Sequence, residues 1–181
     1  MGRYVALLRG INVGGKNKVI MTELAASFTQ GGFARVTTYI NSGNVLFESN
    51  EGDTCTIKAR CEALLAAAYP FDIPVVVLSA EEIAQAMANA PRWWNTDATA
   101  ANNAFYVIPP VTAQDVFAQV GAHKPAYEQV ASHGRVIFWT APRKTYARSM
   151  WSKIVQLPVY KSVTLRNANT ALRLAQLMQQ D

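Results

Sequence analysis

Two cysteines and two histidines are too few and too scattered for a metal centre. The 181-residue sequence has no CxxC pair and no clustered histidine, so neither a structural metal nor any other cofactor is expected. Charge is also sparse, at 16% of residues against about 25% in an ordinary soluble domain, so Ser, Thr, Asn and Gln must supply much of the surface. No run reaches the roughly 18 consecutive apolar residues of a membrane span. The first residues lack a charged start followed by an apolar stretch and a small-residue cleavage site. A cytoplasmic location and no membrane partner follow as expectations. Cys55 and Cys61 lie in a stretch of helical periodicity, where their spacing turns one side chain about 240° from the other, so free thiols rather than a disulfide are expected. No G-x-S-x-G surrounds a serine, which leaves a hydrolase elbow unsupported. His123 and His133 have no carboxylate or cysteine at motif spacing and read as surface turn residues rather than catalytic bases.

What the chain does have is apolar bulk. Half its residues are hydrophobic and 10% are aromatic, enough for a packed core in one domain or two small ones. The net charge of +5 is uneven. Residues 1–20 carry four bases and no acid, residues 21–90 three bases against eight acids, and residues 141–181 seven bases against Asp181 alone. A basic excess at both ends of the chain favours an anionic partner if the ends meet, and otherwise makes two solvated faces.

The order of elements repeats. Tyr4–Leu8 reads as a strand, Met21–Phe28 as a helix, Val36–Ile40 and Val45–Glu48 as a strand pair turned by Asn41–Asn44, Ile57–Ala68 as a helix and Pro74–Leu78 as a strand. After a helix near residues 80–89 and an irregular Pro91–Asn102 segment, the order recurs. It gives a strand at Ala104–Ile108, a helix at Thr112–Val120, strands at Tyr127–Ala131 and Val136–Thr140, a helix over Tyr146–Val155, and a strand at Val163–Leu165. An extra helix at Thr170–Met178 ends the chain. Two βαββαβ halves, residues 1–79 and 80–181, predict an α+β protein: a duplicated ferredoxin-like sandwich with antiparallel sheets and a C-terminal helix.

Three polar segments could carry chemistry. Arg9 to Lys18 follows a strand and precedes a helix, where backbone N–H groups can cradle phosphate, and Gly10 to Lys16 satisfies G-x-x-x-x-G-K. The match fails at Asn17, where a nucleoside triphosphatase needs a Mg²⁺-binding hydroxyl, and at the following hairpin, where it needs a parallel crossover. The candidates in this loop are Arg9, Gly10, Asn12, Gly14, Gly15 and Lys16. The turn Asn41–Asn44 adds the polar groups of Ser42 and Asn44. The segment Thr164–Thr170 opens the last helix, where Asn169 or Thr170 can cap and Arg166, Asn167, Asn169 and Thr170 can face an anion. Trp93-Trp94 reads as an aromatic pair that seals a seam between the halves rather than stacking on a base.

Those same segments, Tyr4 to Lys18, Thr38 to Phe47 and Leu165 to Thr170, closely resemble a widespread bacterial family, domain of unknown function 1697. The resemblance covers essentially the whole chain and implies the duplicated α/β sandwich, with no established activity. The chain departs from the family at Ala168, where a Trp usually stands, and its Ser-Lys pair is matched by Ser152-Lys153 or, alternatively, by Arg148-Ser149. The leading expectation is a protein that binds a small phosphate-bearing ligand or nucleotide in one polar cleft formed by the three segments. The competing class is an RNA-binding module, suggested by the ferredoxin-like order and a pI near 9.4. Against it, Phe47 is the one aromatic on the strand where such modules stack bases. A purely structural interaction protein is disfavoured by the length of the glycine-rich segment.

Overall fold

In the computed structural model, which describes residues 1–180, the first apolar run becomes β1 (Gly2–Leu8), buried from Tyr4 to Leu8. It is followed by α1 (Met21–Gln30), β2 (Ala34–Tyr39), β3 (Asn44–Ser49), α2 (Thr54–Ala68) and β4 (Val75–Ser79). These strands make an antiparallel sheet in the order β2-β3-β1-β4, with β1 hydrogen-bonded to both β3 and β4. Their continuous apolar sequences are legible because β1, β3 and β4 are buried residue after residue, not in alternation. On the helix side Tyr4, Leu24, Phe28, Phe47, Ile57 and Leu65 belong to one core.

α3 (Ala80–Ala88) leads to the second set. It starts with reciprocal bonds: Glu82 Oε2 accepts from Ser79 N at 2.8 Å and Ser79 Oγ from Glu82 N at 3.1 Å. Then come β5 (Ala100–Val107), α4 (Ala113–Val120), β6 (Gln129–His133), β7 (Val136–Pro142), β8 (Val163–Asn167) and α5 (Ala168–Gln179). The sheet order, β6-β7-β5-β8, is the first sheet's order repeated. The duplicated ferredoxin-like arrangement with a C-terminal helix is therefore the fold. By their contacts the residues fall into two units, Met1–Ile83 with the residues from Leu174 onward, and Ala84–Arg173.

The second unit departs from expectation between β7 and β8. The apolar spacing of Tyr146, Met150, Trp151 and Ile154 predicts one α-helix, but three 3₁₀ segments occupy the connection: Arg143–Arg148, Trp151–Gln156 and Pro158–Ser162. Each closes with an i to i+3 bond, such as Ser149 N to Tyr146 O at 3.1 Å and Leu157 N to Ile154 O at 2.9 Å. Ser149 also bonds Tyr146 O through its hydroxyl, at 2.6 Å, and Pro158 removes a donor; both interrupt an α-helical ladder.

Cys55 and Cys61 are both free and both lie on α2, as their spacing predicts. Cys55 is exposed; Cys61 is fully buried, and burial pushes its thiol up to about 12. A thiol reagent at neutral pH is expected to titrate one group in the native protein and two in denaturant. Two fast-reacting groups in the native state would place Cys61 outside the core.

Candidate functional site

In the first unit the glycine-rich loop and the hairpin turn do meet. Asn12, held at φ 55°, accepts from Val19 N at 2.8 Å through Oδ1, and its Nδ2 donates to Val19 O at 3.0 Å and to Asn41 O at 2.9 Å. Asn17 Nδ2 donates to Gly10 O at 3.0 Å, and Leu8 N donates to Gly43 O at 2.8 Å. Asn44 is fully buried and donates to Tyr39 O and Ser42 Oγ. Asn12 thus fastens loop to turn, while Ser42 and Asn44 brace the turn itself.

The backbone N–H groups of Asn12 and Lys16, which a phosphate cradle would aim outward, are spent on Asn17 O and Val13 O. Gly10, Gly14, Gly15 and Lys16 are exposed, and Arg9 is half-buried. The antiparallel neighbours of β1 also exclude the parallel crossover of a nucleoside triphosphatase.

The third segment lies in the second unit and corrects one expectation of the sequence. α5 begins at Ala168, so the cap is Asn167, whose Oδ1 accepts from Thr170 N at 2.8 Å, and not Asn169 or Thr170. Arg166 is only 5% exposed, because alternation along β8 turns it to the side of Thr164, leaving Leu165 and Asn167 exposed. Its Nη1 donates to Thr164 Oγ1 at 2.9 Å and to Leu165 O at 2.8 Å. Burial brings its pKa down to about 10, with the Tyr106 hydroxyl acting in the opposite direction. The guanidinium stays charged at neutral pH, but it is held by the protein.

Asn167 and Asn169 line a cavity of about 210 Å³ together with Asn95, Asn102 and Arg143. None of its lining residues is acidic. Asn102 is the fixed wall of this cavity: its Oδ1 accepts from Asn95 N and from the Thr140 hydroxyl, and its Nδ2 donates to Asp97 O at 2.8 Å. Arg143 is exposed and opens the first 3₁₀ segment. A groove of about 470 Å³ shares Asn102, Arg143 and Asn167 with the cavity and adds Asn103, Tyr146 and Leu165. Burial raises the Tyr146 phenol, Tyr160 adds to this, and the Arg143 charge works against both. Arg143, Asn95 and Asn102 carry no sequence motif; strand pairing brings them together, with Ala100 opposite Pro142 and Asn103 opposite Asn167.

Glu128 is a second group that sequence reasoning missed. It is 2% exposed, and its carboxylate is bound by four N–H groups. Oε1 accepts from Lys124 N at 2.9 Å and Met150 N at 2.8 Å; Oε2 accepts from Trp139 Nε1 at 3.0 Å and Trp151 N at 3.1 Å. The Met150 and Trp151 amides open the second 3₁₀ segment, which has no local side-chain cap, so Glu128 caps it from a distance. Trp94 is 6% exposed, donates Nε1 to Asn103 O at 2.9 Å and meets Phe138 edge-on at 4.9 Å, so it packs within the second unit. Phe47 is 1% exposed among Tyr4, Phe28 and Phe33, where no base can reach it. Among the described residues there is no group of three or more His, Cys, Asp or Glu that could hold a metal, and no helix long and apolar enough to cross a membrane.

A family model described as protein of unknown function DUF1697 matches residues 1–138, which include the first two polar segments and not the third. No curated protein matches the chain. Among solved structures, the conserved bacterial protein SP0830 from Streptococcus pneumoniae is 32% identical, with a TM-score of 0.89 over 98% of this chain and 99% of that one.

Proposed function

The chain belongs to the DUF1697 family, and from that premise and its own geometry we propose that it binds a small phosphate-bearing anion in the cavity lined by Arg143, Asn95, Asn102, Asn167 and Asn169. The observation that carries this reading is the company Arg143 keeps. An exposed arginine shares the cavity with four asparagines, beside the first turn of a twelve-residue helix that has no acid in that turn. A guanidinium offers phosphate paired donors, asparagine amides add neutral ones, and the helix start contributes roughly half a positive charge. No carboxylate or histidine is among the residues that line the cavity, so the reading is binding rather than catalysis.

Calorimetry with inorganic phosphate and pyrophosphate at low ionic strength tests it. Binding is expected to weaken with added salt. Arg143→Ala is expected to cost about tenfold or more, since a hydrogen bond to a charged group is worth roughly 1.5–3 kcal/mol. Lys16→Ala removes a cation that does not line this cavity and is expected to change much less. Absence of phosphate binding, or equal losses in the two variants, would overturn the assignment.

A further inference from the structure

We propose that the ligand is a nucleoside monophosphate, its phosphate at Arg143 and its base against the ring of Tyr146 in the adjoining groove; this rests on the anion-binding reading above. The two halves of the duplication differ at this place. In the first unit the fifteen-residue helix α2 connects β3 to β4, and Ile57, Cys61 and Leu65 on it enter the core. In the second unit the equivalent connection, β7 to β8, is made by three 3₁₀ segments of five or six residues. Beside the first of these segments lies a groove of about 470 Å³ lined by Ala101, Asn103, Leu165 and Asn167 together with Arg143 and Tyr146. That volume lies in the range of about 300–1,000 Å³ typical of small-molecule sites.

The 3₁₀ winding determines what faces the groove. With three residues per turn, side chains at i and i+3 eclipse, so Arg143 and Tyr146 stand one above the other. In an α-helix the same pair would be offset by about 60°. The Tyr146 ring is 39% exposed and rests on Trp139, with centroids 5.3 Å apart, so it is a supported aromatic surface and not a free rotor. Leu165, 40% exposed, extends the apolar wall. The Asn103 side chain makes no hydrogen bond among the described residues, which leaves an amide to meet polar edges of a base. Cation, aromatic face and amide in one groove, joined to a polar cavity, match a nucleotide better than a bare anion, which has no use for the ring, or a sugar phosphate, which has no planar base to lay on it.

The experiment compares AMP, adenosine, ribose 5-phosphate and inorganic phosphate by calorimetry on the wild-type chain, Tyr146→Leu, Tyr146→Phe and Arg143→Ala. AMP is expected to bind more tightly than each of the other three. Tyr146→Leu should weaken AMP by about 5- to 140-fold, the equivalent of roughly 1–3 kcal/mol for stacking one base, and leave inorganic phosphate unchanged. Tyr146→Phe keeps both the ring and its packing on Trp139 and should bind AMP like the wild type. Arg143→Ala should weaken AMP and phosphate together. If phosphate binds but AMP binds no more tightly, or Tyr146→Leu leaves AMP unchanged, the nucleotide assignment is overturned and phosphate binding stands. If neither phosphate nor AMP binds, both fall.

Discussion

Glu128→Ala is expected to lower the melting temperature by about 6–12 °C or more, the largest fall for a side chain outside the apolar core. The variant strands four donors at once: the amides of Lys124, Met150 and Trp151 and the indole N–H of Trp139. A buried donor left unpaired costs roughly 1–3 kcal/mol. Water entering the vacated space recovers part of this, so a net loss of at least about 3 kcal/mol is expected, at about 2–4 °C per kcal/mol for a chain of this size. Glu128→Gln keeps the shape but turns an NH₂ toward two N–H donors, and should lose about half as much. Unfolding followed by tryptophan fluorescence reads the result directly, because the Trp139 indole and the Trp151 backbone amide both bond the carboxylate. A loss under about 1 kcal/mol in the alanine variant would mean that another acceptor takes over these donors, and the view of Glu128 as the remote cap would fail.

Glu128 also shows why the candidate site was only partly legible in the sequence. A lone glutamate before a strand has no pattern; its role exists only because Trp139 on β7 and the 3₁₀ start at Met150 converge on it. Arg143 is similar, since it enters the cavity through strand pairing rather than through a motif. Asn167 and Asn169 were readable because a polar run between a strand and a helix announces a terminus, although the cap itself fell one residue before the helix start that forms. Arg166 was readable as a cation but not as a buried one, since its neighbour Leu165 is the apolar residue that β8 turns outward.

The fold was more legible than the site, for a physical reason. Strands such as Val75–Ser79 are buried along their whole length, so their hydrophobicity needs no partner to be recognised. β5 begins four residues before the apolar run Ala104–Ile108 because Ala-Ala-Asn-Asn has little strand propensity of its own; pairing of Ala100 and Ala101 with Pro142 and Ala141 makes it strand. The 3₁₀ connection has the sequence signature of a helix because Tyr146, Met150, Trp151 and Ile154 carry a helical period across segments that each end after one or two turns. The first of these segments is the one that brings Arg143 and Tyr146 to the groove.

Gly43→Ala is expected to be the most damaging change in the first unit's polar segments. Gly43 sits at φ 81°, and a Cβ added there would lie 2.7 Å from Leu8 Cβ and 2.8 Å from Ile11 Cδ1. Ile11 can swing its terminal carbon away, but Leu8 Cβ is fixed to β1, and the Gly43 carbonyl is tied to Leu8 N at 2.8 Å. The turn therefore has to move as a body. It is already strained next door: Ile40, a β-branched residue, is held at φ 49° beside Asn41, whose carbonyl accepts from Asn12. The left-handed backbone alone costs an alanine about 1–2 kcal/mol, and overpacking adds roughly 1–3 kcal/mol. At about 2–4 °C per kcal/mol, the melting temperature should fall by on the order of 10 °C. Gly14→Ala is the internal control. Its φ of 58° carries the same conformational cost, but an added Cβ meets nothing within 4 Å, so it should lose only the first part. Equal losses in the two variants would show that the turn yields freely. The Leu8–Gly43 approach would then not be what holds the hairpin turn against the glycine-rich loop, and the Asn12 bonds to Val19 and Asn41 would have to hold the two together alone.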